Sequence, residues 1–281
     1  MRSGLGRRGY ALTEPARDVW FAEGPASNWI ILRQGKAFTL IDGGYPGNLP
    51  LVLASLQDAG LDPVDAAAVL ITHAHVDHAG TAGYFAAAYG IPVLCSAAEL
   101  PYLRGEDKDQ VSIGRILSRS WKPAVAQWAW YVLTSGGAAR VVVPSAAAWN
   151  EDVELAALPG SPVAVPTPGH TPGHTAFYLP GARAVVTGDA LVTGHALSRQ
   201  KGPQMLDSMF QGDGDGARRS LAQLGRLDAS LLLPGHGPAV RIGVRQAVGA
   251  VRASAAVPKR RIVATGPAGG LAEPAYGRTA R

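Results

Sequence analysis

Residues 72–78 read Thr-His-Ala-His-Val-Asp-His, which puts His73, His75, Asp77 and His78 within six positions. No structural role requires three imidazoles so close together, whereas neutral imidazoles and carboxylates are ligands of Zn²⁺, Fe and Mn²⁺. These four side chains cannot all lie on one helix face or one strand face. The segment is therefore predicted to be a metal-binding loop that leaves the end of a strand, with zinc favoured by ligand type.

Three further candidate ligands lie next to strand-like runs. His170 lies in a stretch rich in proline and glycine, Asp189 follows the apolar run 185–187, and His236 follows the apolar run 231–233. Because each of these side chains is placed at a strand end or in a turn between strands, all of them are predicted to gather along one edge of the sheets.

Strand-like and helix-like stretches alternate along both halves of the chain. The predicted strands are Asn28–Arg33, Ala37–Ile41, Ala67–Ile71, Ile91–Leu94, Thr175–Leu179, Ala184–Val186 and Ser230–Leu233. The predicted helices are one that follows Asn48 and ends at Gly60, then Ala79–Tyr89, Ala217–Leu227 and Ile242–Ala255. The alternation predicts an α/β protein whose sheets are covered by helices, although the pattern alone does not count the layers.

The segment from about residue 97 to residue 149, here called the Trp-rich segment, departs from this alternation. It contains four of the six tryptophans: Trp121, Trp128, Trp130 and Trp149. It is predicted to be a mostly helical insertion that acts as a cap over the active site, belongs to the core, or forms a homodimer interface. Residues 1–257 are predicted to form a single domain, and residues 258–281 a basic, flexible tail rich in Gly, Pro and Ala.

The formal net charge of +5 is located in the ends of the chain. Residues 241–281 carry a balance of +7 and residues 1–20 a balance of +2, which leaves residues 21–240 at −4. A mildly acidic body does not support a nucleic-acid-binding surface.

Cysteine usage and hydropathy predict the compartment. The single cysteine, Cys95, excludes an internal disulfide framework and favours a reducing environment. It follows an apolar strand-like run, so a buried structural thiol is expected rather than a nucleophile. No run approaches the ~20 apolar residues that a membrane span needs. The sequence therefore predicts a cytoplasmic protein with a small-molecule substrate and no membrane span.

The order of the candidate ligands resembles that of the metallo-β-lactamase-fold hydrolases, and within them the glyoxalase II and lactonase-like branch. In chain order they are His73, His75, Asp77, His78, His170, Asp189 and His236. The resemblance covers roughly residues 28–236. It implies a four-layer αβ/βα sandwich with two divalent metal ions in a cleft at the sheet edges.

The resemblance also implies a role for each ligand. The implied sets are His73, His75 and His170 for the first ion, Asp77, His78 and His236 for the second, and Asp189 for both. Two cations that share a water molecule lower its pKa toward neutrality, which supplies a bridging hydroxide as nucleophile. The implied reaction is the hydrolysis of an ester, a thioester or a lactone.

Four residues have further roles. Asp77 is implied as the catalytic residue that receives or relays a proton as the tetrahedral intermediate collapses. Asp42 matches an acidic residue that the family keeps after an early strand, where it supports the ligands and does not bind metal. Among the remaining histidines, His174 is interpreted as structural or as supporting a ligand. His195 lies shortly beyond the bridging aspartate, so it is predicted to contact substrate.

Several functions remain open. A persulfide-dioxygenase-like oxidoreductase with one iron shares much of the motif, but every ligand of the second ion is present here. A phosphodiesterase or ribonuclease is disfavoured by the acidic body, and a flavodiiron role by His75, where those proteins use a carboxylate. Residues 190–192 lack the tyrosine of quorum-signal lactonases, and the C-terminal region does not match the glutathione site of glyoxalase II. The substrate is therefore left open among esters, thioesters and lactones.

Overall fold

The computed structural model describes residues 9–107, 123–150 and 152–256, which form two β-sheets. The first sheet contains, in spatial and chain order, β1 (Ala11–Ala16), β2 (Val19–Glu23), β3 (Asn28–Gln34), β4 (Ala37–Ile41), β5 (Ala66–Leu70), β6 (Val93–Cys95) and β7 (Ala147–Ala148). The second contains, in spatial order, β12 (Val240–Arg241), β11 (Leu231–Pro234), β10 (Ala184–Gly188), β9 (Thr175–Leu179) and β8 (Val163–Pro166).

Helices cover both sheets. They are α1 (Leu49–Asp58), α2 (Val76–Ala79), α3 (Ala82–Tyr89), α4 (Leu100–Leu103), α5 (Pro123–Thr134), α6 (Asp152–Ala156), α7 (Gly214–Leu224) and α8 (Val244–Ala256). Strands β1 to β4 pair antiparallel and β4 to β7 pair parallel, while β10 and β11 form the parallel pair of the second sheet.

Three apolar clusters fix the layers, because adjacent residues of one strand face opposite sides of a sheet. In β3, Ile30 packs into the cluster between the two sheets, while Ile31 packs under α1 and α3. In β10, Val186 faces the inter-sheet cluster, whereas Val185 packs against α7 and α8. The order of layers is therefore helix, sheet, sheet, helix. The predicted α/β four-layer sandwich is confirmed.

The sequence pattern missed several strands and one helix break. Strands β1, β2 and β8 are not among the predicted strands. The residues of β1 and β8 are half-buried or exposed and form no strong apolar run, whereas β2 is a short strand of mostly buried residues. The predicted helix Ala79–Tyr89 is instead two helices, α2 and α3, interrupted at Gly80. A Cβ atom on Gly80 would lie 2.4 Å from the carbonyl oxygen of Gly44, so the chain bends where two backbones approach closely.

Parallel pairing brings specific strand ends together. Strands β4 and β5 run side by side, and the N–H of Asp42 donates to the carbonyl of Leu70 over 2.9 Å. Strands β10 and β11 also run side by side, in the second sheet. The N–H of Thr175 donates to the carbonyl of Thr72 over 2.9 Å, which joins the two sheets at this edge. The residues that follow these strands therefore share one end of the sandwich.

The Trp-rich segment is partly described. Its described residues include helices α4 and α5 and strand β7, which returns to the first sheet beside β6. Trp149 packs into the core, with its ring centroid 5.7 Å from that of Phe177, whereas Trp130 is 71% exposed. Trp121 and the predicted tail, residues 258–281, lie outside the described residues. The tryptophans therefore do not share one role.

Two further predictions concern Cys95 and the membrane. Cys95 is fully buried in β6, and burial raises the pKa of its thiol to about 12, so it carries no thiolate at neutral pH. Across the described ranges, no helix has the length and apolar character needed to cross a bilayer.

Candidate metal centre

The candidate ligands lie at the shared edge of the two sheets. His73 follows the end of β5 by three positions, Asp189 directly follows β10, and His236 follows β11 by two positions. His170 lies in the loop between β8 and β9. Strands of both sheets therefore deliver ligands to one place.

The local structure of residues 73–78 differs from the predicted loop. His73 and His75 do lie in a loop, but Asp77 and His78 belong to the single turn of α2. Neighbouring residues on a helix are about 100° apart around its axis. The helical turn therefore lets Asp77 and His78 approach the centre from different directions.

Three imidazole nitrogens meet in a first group. Nε2 of His170 lies 3.2 Å from Nε2 of His73 and 3.0 Å from Nδ1 of His75. One nitrogen of each ring lies within 4.8 Å of the others. Three converging imidazoles are a common ligand set for Zn²⁺ and similar ions.

A second group contains a carboxylate and two imidazoles. Oδ2 of Asp77 lies 3.4 Å from Nε2 of His236 and 3.7 Å from Nε2 of His78. Asp189 lies between the two groups: its Oδ1 is 3.4 Å from Nε2 of His78, and its Oδ2 is 3.4 Å from Nε2 of His170. The carboxylate of Asp189 thus faces both groups.

Hydrogen bonds fix which nitrogen of each ring is free. Nδ1 of His78 lies 2.8 Å from Oδ2 of Asp42, and because a carboxylate only accepts, Nδ1 donates, so that Nε2 keeps its lone pair in the neutral ring that would bind a metal. The hydroxyl of Thr72 donates to the same oxygen over 2.8 Å, so it accepts from Nδ1 of His73 over 3.0 Å. Asp42 therefore supports two rings and does not join either group.

Unpaired buried atoms indicate that the site fits a metal ion. Nδ1 of His236 donates to the carbonyl of Ala26 over 2.6 Å, which leaves Nε2 free. Among the described residues, Nε2 of His78 and Oδ1 of Asp189 are buried without a hydrogen-bond partner. Such atoms are costly to leave unsatisfied, and a divalent cation would satisfy them.

Electrostatics distinguish the two groups. Burial, followed by the neighbouring imidazoles, lowers the pKa of His73, and burial lowers that of His170. Burial also acts on His78 and His236, but nearby carboxylates, Asp189 foremost, outweigh it and raise both pKa values. Burial opposes the ionisation of Asp189, but His236 and His78 hold its pKa well below the usual range. An ionised carboxylate among imidazoles suits a divalent cation.

His174 positions Asp189. Its Nε2 accepts the backbone N–H of Asp189 over 3.0 Å, and its Nδ1 lies 2.8 Å from the hydroxyl of Thr167. Burial lowers the pKa of His174 to about 3, so the ring is neutral at physiological pH and can accept that hydrogen bond. The interpretation of His174 as a supporting residue agrees with these contacts.

Glu99 is a supporting residue that the sequence analysis missed. Its fully buried carboxylate accepts from the N–H of Ala74 over 2.8 Å, the hydroxyl of Thr171 over 2.6 Å and the N–H of Gly173 over 2.8 Å. These donors belong to the loops that carry His73 and His170. Glu99 belongs to no recognisable sequence motif, so the sequence gives no pattern that would predict such a role.

Replacing Glu99 by alanine is expected to lower the free energy of unfolding by about 3 kcal/mol, because three buried donors lose their acceptor at about 1–3 kcal/mol each before relaxation. Glu99→Gln keeps one acceptor oxygen and should lose less. Denaturant unfolding with metal analysis of the folded protein measures both effects. If Glu99→Ala unfolded at the same denaturant concentration as the wild type, the role of Glu99 in supporting the two ligand loops would be contradicted.

A cavity of about 590 Å³ opens beside His236. It is lined by residues 23–26, Asn28, Trp128, residues 193–196, Lys201, Gly202 and residues 236–238. The rings of Trp128 and His195 contact each other in its wall, with centroids 5.4 Å apart. Burial, followed by the charge of His236, lowers the pKa of His195 to about 4, so its ring is neutral at pH 7.

The model of the metallo-beta-lactamase superfamily matches residues 22–236 of the chain. That range includes all seven candidate ligands. The chain belongs to the metallo-beta-lactamase superfamily. It is a metal-dependent hydrolase, as the functional names of its curated relatives also indicate.

Two curated relatives align with most of this chain. The probable metallo-hydrolase YflN of Bacillus subtilis (strain 168) is 25% identical over 260 residues, covering 84% of this chain and 88% of the relative. Metallo-beta-lactamase domain-containing protein 1 of Xenopus laevis is 25% identical over 225 residues, covering 80% of this chain and 75% of the relative.

Solved structures have the same fold. A mutant of a metallo-beta-lactamase from Cronobacter sakazakii superposes with a TM-score of 0.60 at 20% identity, covering 85% of this chain and 92% of that chain. At this identity the likeness concerns the fold alone. The protein TTHA1623, solved in a di-iron-bound form, has a TM-score of 0.50 at 28% identity and covers 78% of this chain and 92% of that chain.

Proposed function

We propose that the chain is a binuclear metal-dependent hydrolase that cleaves an ester, a thioester or a lactone. The observation that supports the proposal is the placement of Asp189 between the two groups: its Oδ2 faces His170 of one group and His236 of the other, and its Oδ1 faces His78. A relative solved with two iron ions supports a binuclear centre of this type.

The proposed ligands follow the two groups. They are His73, His75 and His170 for one ion, Asp77, His78 and His236 for the other, and Asp189 for both. Zn²⁺ is the proposed metal, with Fe or Mn²⁺ as alternatives, because imidazole and carboxylate ligands suit all three. Asp42 is proposed to keep His78 in the tautomer that leaves Nε2 free.

When bound, two divalent ions would supply an activated water molecule and polarise the substrate carbonyl. The chain itself provides the remaining functions. Asp77 is the more accessible carboxylate of the centre, with 16% of its side chain exposed against 4% for Asp189. We therefore assign Asp77 the proton relay to the leaving group. No serine or cysteine nucleophile is required, in agreement with the buried thiol of Cys95.

The acyl or ring part of the substrate is proposed to occupy the cavity beside His236. Trp128 offers an apolar wall there, and His195 a polar group within the same wall. Lys201, at the same cavity, is exposed and has no ion pair among the described residues. Because Trp128 forms an apolar wall, the proposed substrate is a small molecule with an apolar part near Trp128.

Trp128→Ala is expected to raise KM for such a substrate about 10-fold while changing kcat less than about 3-fold, because an apolar wall contributes about 1.4 kcal/mol to ground-state and transition-state binding alike. Trp130→Ala on the same helix is the matched control, since Trp130 is largely exposed and should leave KM unchanged. Steady-state kinetics on both variants tests this. An equal KM in wild type and Trp128→Ala would contradict a substrate contact.

The experiment that tests the proposed function is elemental analysis of protein purified without added metal, followed by assays on a panel of esters, thioesters and lactones. About two ions per chain with activity on the panel is the expected result. One iron per chain and oxygen-dependent turnover of a persulfide would instead support the mono-iron oxidoreductase. Cleavage of RNA or of a phosphodiester alone would support the third alternative.

Location and assembly stay predictions. A cytoplasmic location follows from the single buried thiol and the lack of a disulfide framework. A homodimer through the Trp-rich segment is supported by Trp130 and Leu133, which lie one turn apart on α5 and are 71% and 47% exposed. Sedimentation of the wild type and of Trp130→Ala would test the dimer.

A further inference from the structure

His195 lies where the candidate metal centre meets the cavity. Its ring centroid is 5.3 Å from that of His236, 5.4 Å from that of Trp128 and 5.1 Å from that of Phe210. All three contacts are edge-to-face, with interplanar angles of 87°, 68° and 66°. Rings on three sides restrict the orientation of the imidazole. A group that binds a substrate in one geometry requires such a restriction.

One hydrogen bond determines the tautomer of His195. The backbone N–H of Leu197 donates to Nδ1 of His195 over 3.2 Å. A nitrogen that accepts a hydrogen bond carries no proton, so the proton of the neutral ring is on Nε2. Nε2 has no hydrogen-bond partner among the described residues, although the ring lines the cavity. An oriented N–H donor without a protein acceptor is therefore present beside the candidate metal ligands.

We propose that Nε2–H of His195 donates a hydrogen bond to the carbonyl oxygen of the substrate, where negative charge develops as the tetrahedral intermediate forms. The inference rests on the proposed function and adds a catalytic residue to it. His195 keeps its proton throughout, so the step moves no proton and forms no bond to the ring. A donor fixed in advance costs no reorganisation when the charge appears, and one such donor contributes about 10²–10³-fold to kcat.

The chemistry of the donor selects the substrate class. A neutral N–H stabilises an oxyanion that develops from a neutral carbonyl, as in an ester, a thioester or a lactone. A phosphodiester is already anionic, so it gains less from a neutral donor such as His195. The residue thus favours the acyl hydrolase over the phosphodiesterase.

Three variants distinguish the loss of the Nε2–H donor from the loss of the ring as a whole. A glutamine amide can reproduce Nε2–H, whereas an asparagine amide can reproduce only Nδ1. With metal-loaded protein and 4-nitrophenyl butyrate as probe, His195→Ala and His195→Asn should lower kcat about 10²-fold. KM should change less than about 3-fold, and His195→Gln should recover about 10-fold of the loss. Metal content should equal that of the wild type in all three.

Two outcomes would overturn the role of His195 alone: an active wild type whose kcat is unchanged in His195→Ala, or equal losses in the Gln and Asn variants. Nitrogen-15 NMR of the histidine rings adds a readout that is independent of turnover, with Nε2–H expected for His195 and Nδ1–H contradicting the proposal. A wild type that holds two ions but hydrolyses no ester, thioester or lactone would overturn the proposed function and this role with it.

Discussion

Asp189→Ala protein is expected to bind at most one metal ion per chain where the wild type binds two, and to lose at least about 10³-fold in kcat/KM. The reason is the location of the carboxylate, whose oxygens lie 3.3–3.4 Å from imidazole nitrogens of both groups. Without it, Asp77 would be the remaining carboxylate among the candidate ligands, and it lies near His78 and His236 of one group only. A loss of about 4 kcal/mol of transition-state stabilisation corresponds to that factor.

Elemental analysis and ester kinetics measure both effects on the same preparation. Asp189→Asn tests charge separately from shape, and should lose metal nearly as completely while retaining the fold. Asp228→Ala serves as control, because Asp228 is an exposed aspartate that pairs with Arg183 before the start of β10 and β11, whereas Asp189 and His236 follow the ends of these strands. Wild-type activity in a metal-depleted Asp189→Ala protein would refute the binuclear centre.

Asp42→Ala is expected to weaken metal binding about 10- to 100-fold and to lower the free energy of unfolding by about 3 kcal/mol. Asp42 accepts from the N–H of Thr72 over 2.9 Å and from its hydroxyl, and it fixes the proton of His78. Supporting acceptors of this type commonly contribute 10- to 100-fold, roughly, to metal affinity. Leaving buried donors without an acceptor accounts for the loss of stability.

Asparagine separates these two effects. Asp42 has a φ of 59°, a conformation that asparagine adopts far more readily than alanine, so Asp42→Asn should keep the backbone geometry. Its amide must nevertheless direct a donor toward Thr72 or His78, so metal affinity should fall while stability falls less. Metal titration and denaturant unfolding on both variants give the comparison. Wild-type metal affinity in Asp42→Asn would show that the carboxylate charge is not needed.

The sequence by itself was sufficient to indicate the family, and the layer order followed from that resemblance, because the alternation of strands and helices does not count the layers. The spacing of the ligands in residues 72–78 and the order in which His170, Asp189 and His236 follow them are visible in the sequence itself. Both features resemble those of the family, so they indicate it before any tertiary contact is known. The continuous apolar runs of β3 and β10 likewise follow from burial on both sides of each sheet. Strands β1 and β8, whose residues are half-buried or exposed, left no such pattern.

The sequence indicated roles for Asp42 and His195, but only the tertiary structure gave their contacts and the role of Glu99. Glu99 contacts loops that are 25 and 74 residues away in sequence, and His195 contacts Trp128 across 67 positions. Contacts of this kind depend on long-range packing, for which a single sequence contains no periodic signal. The sequence determined which chemical groups are present at the sheet edge. Their hydrogen-bond partners, tautomers and the cavity beside them exist only once the two sheets have packed together.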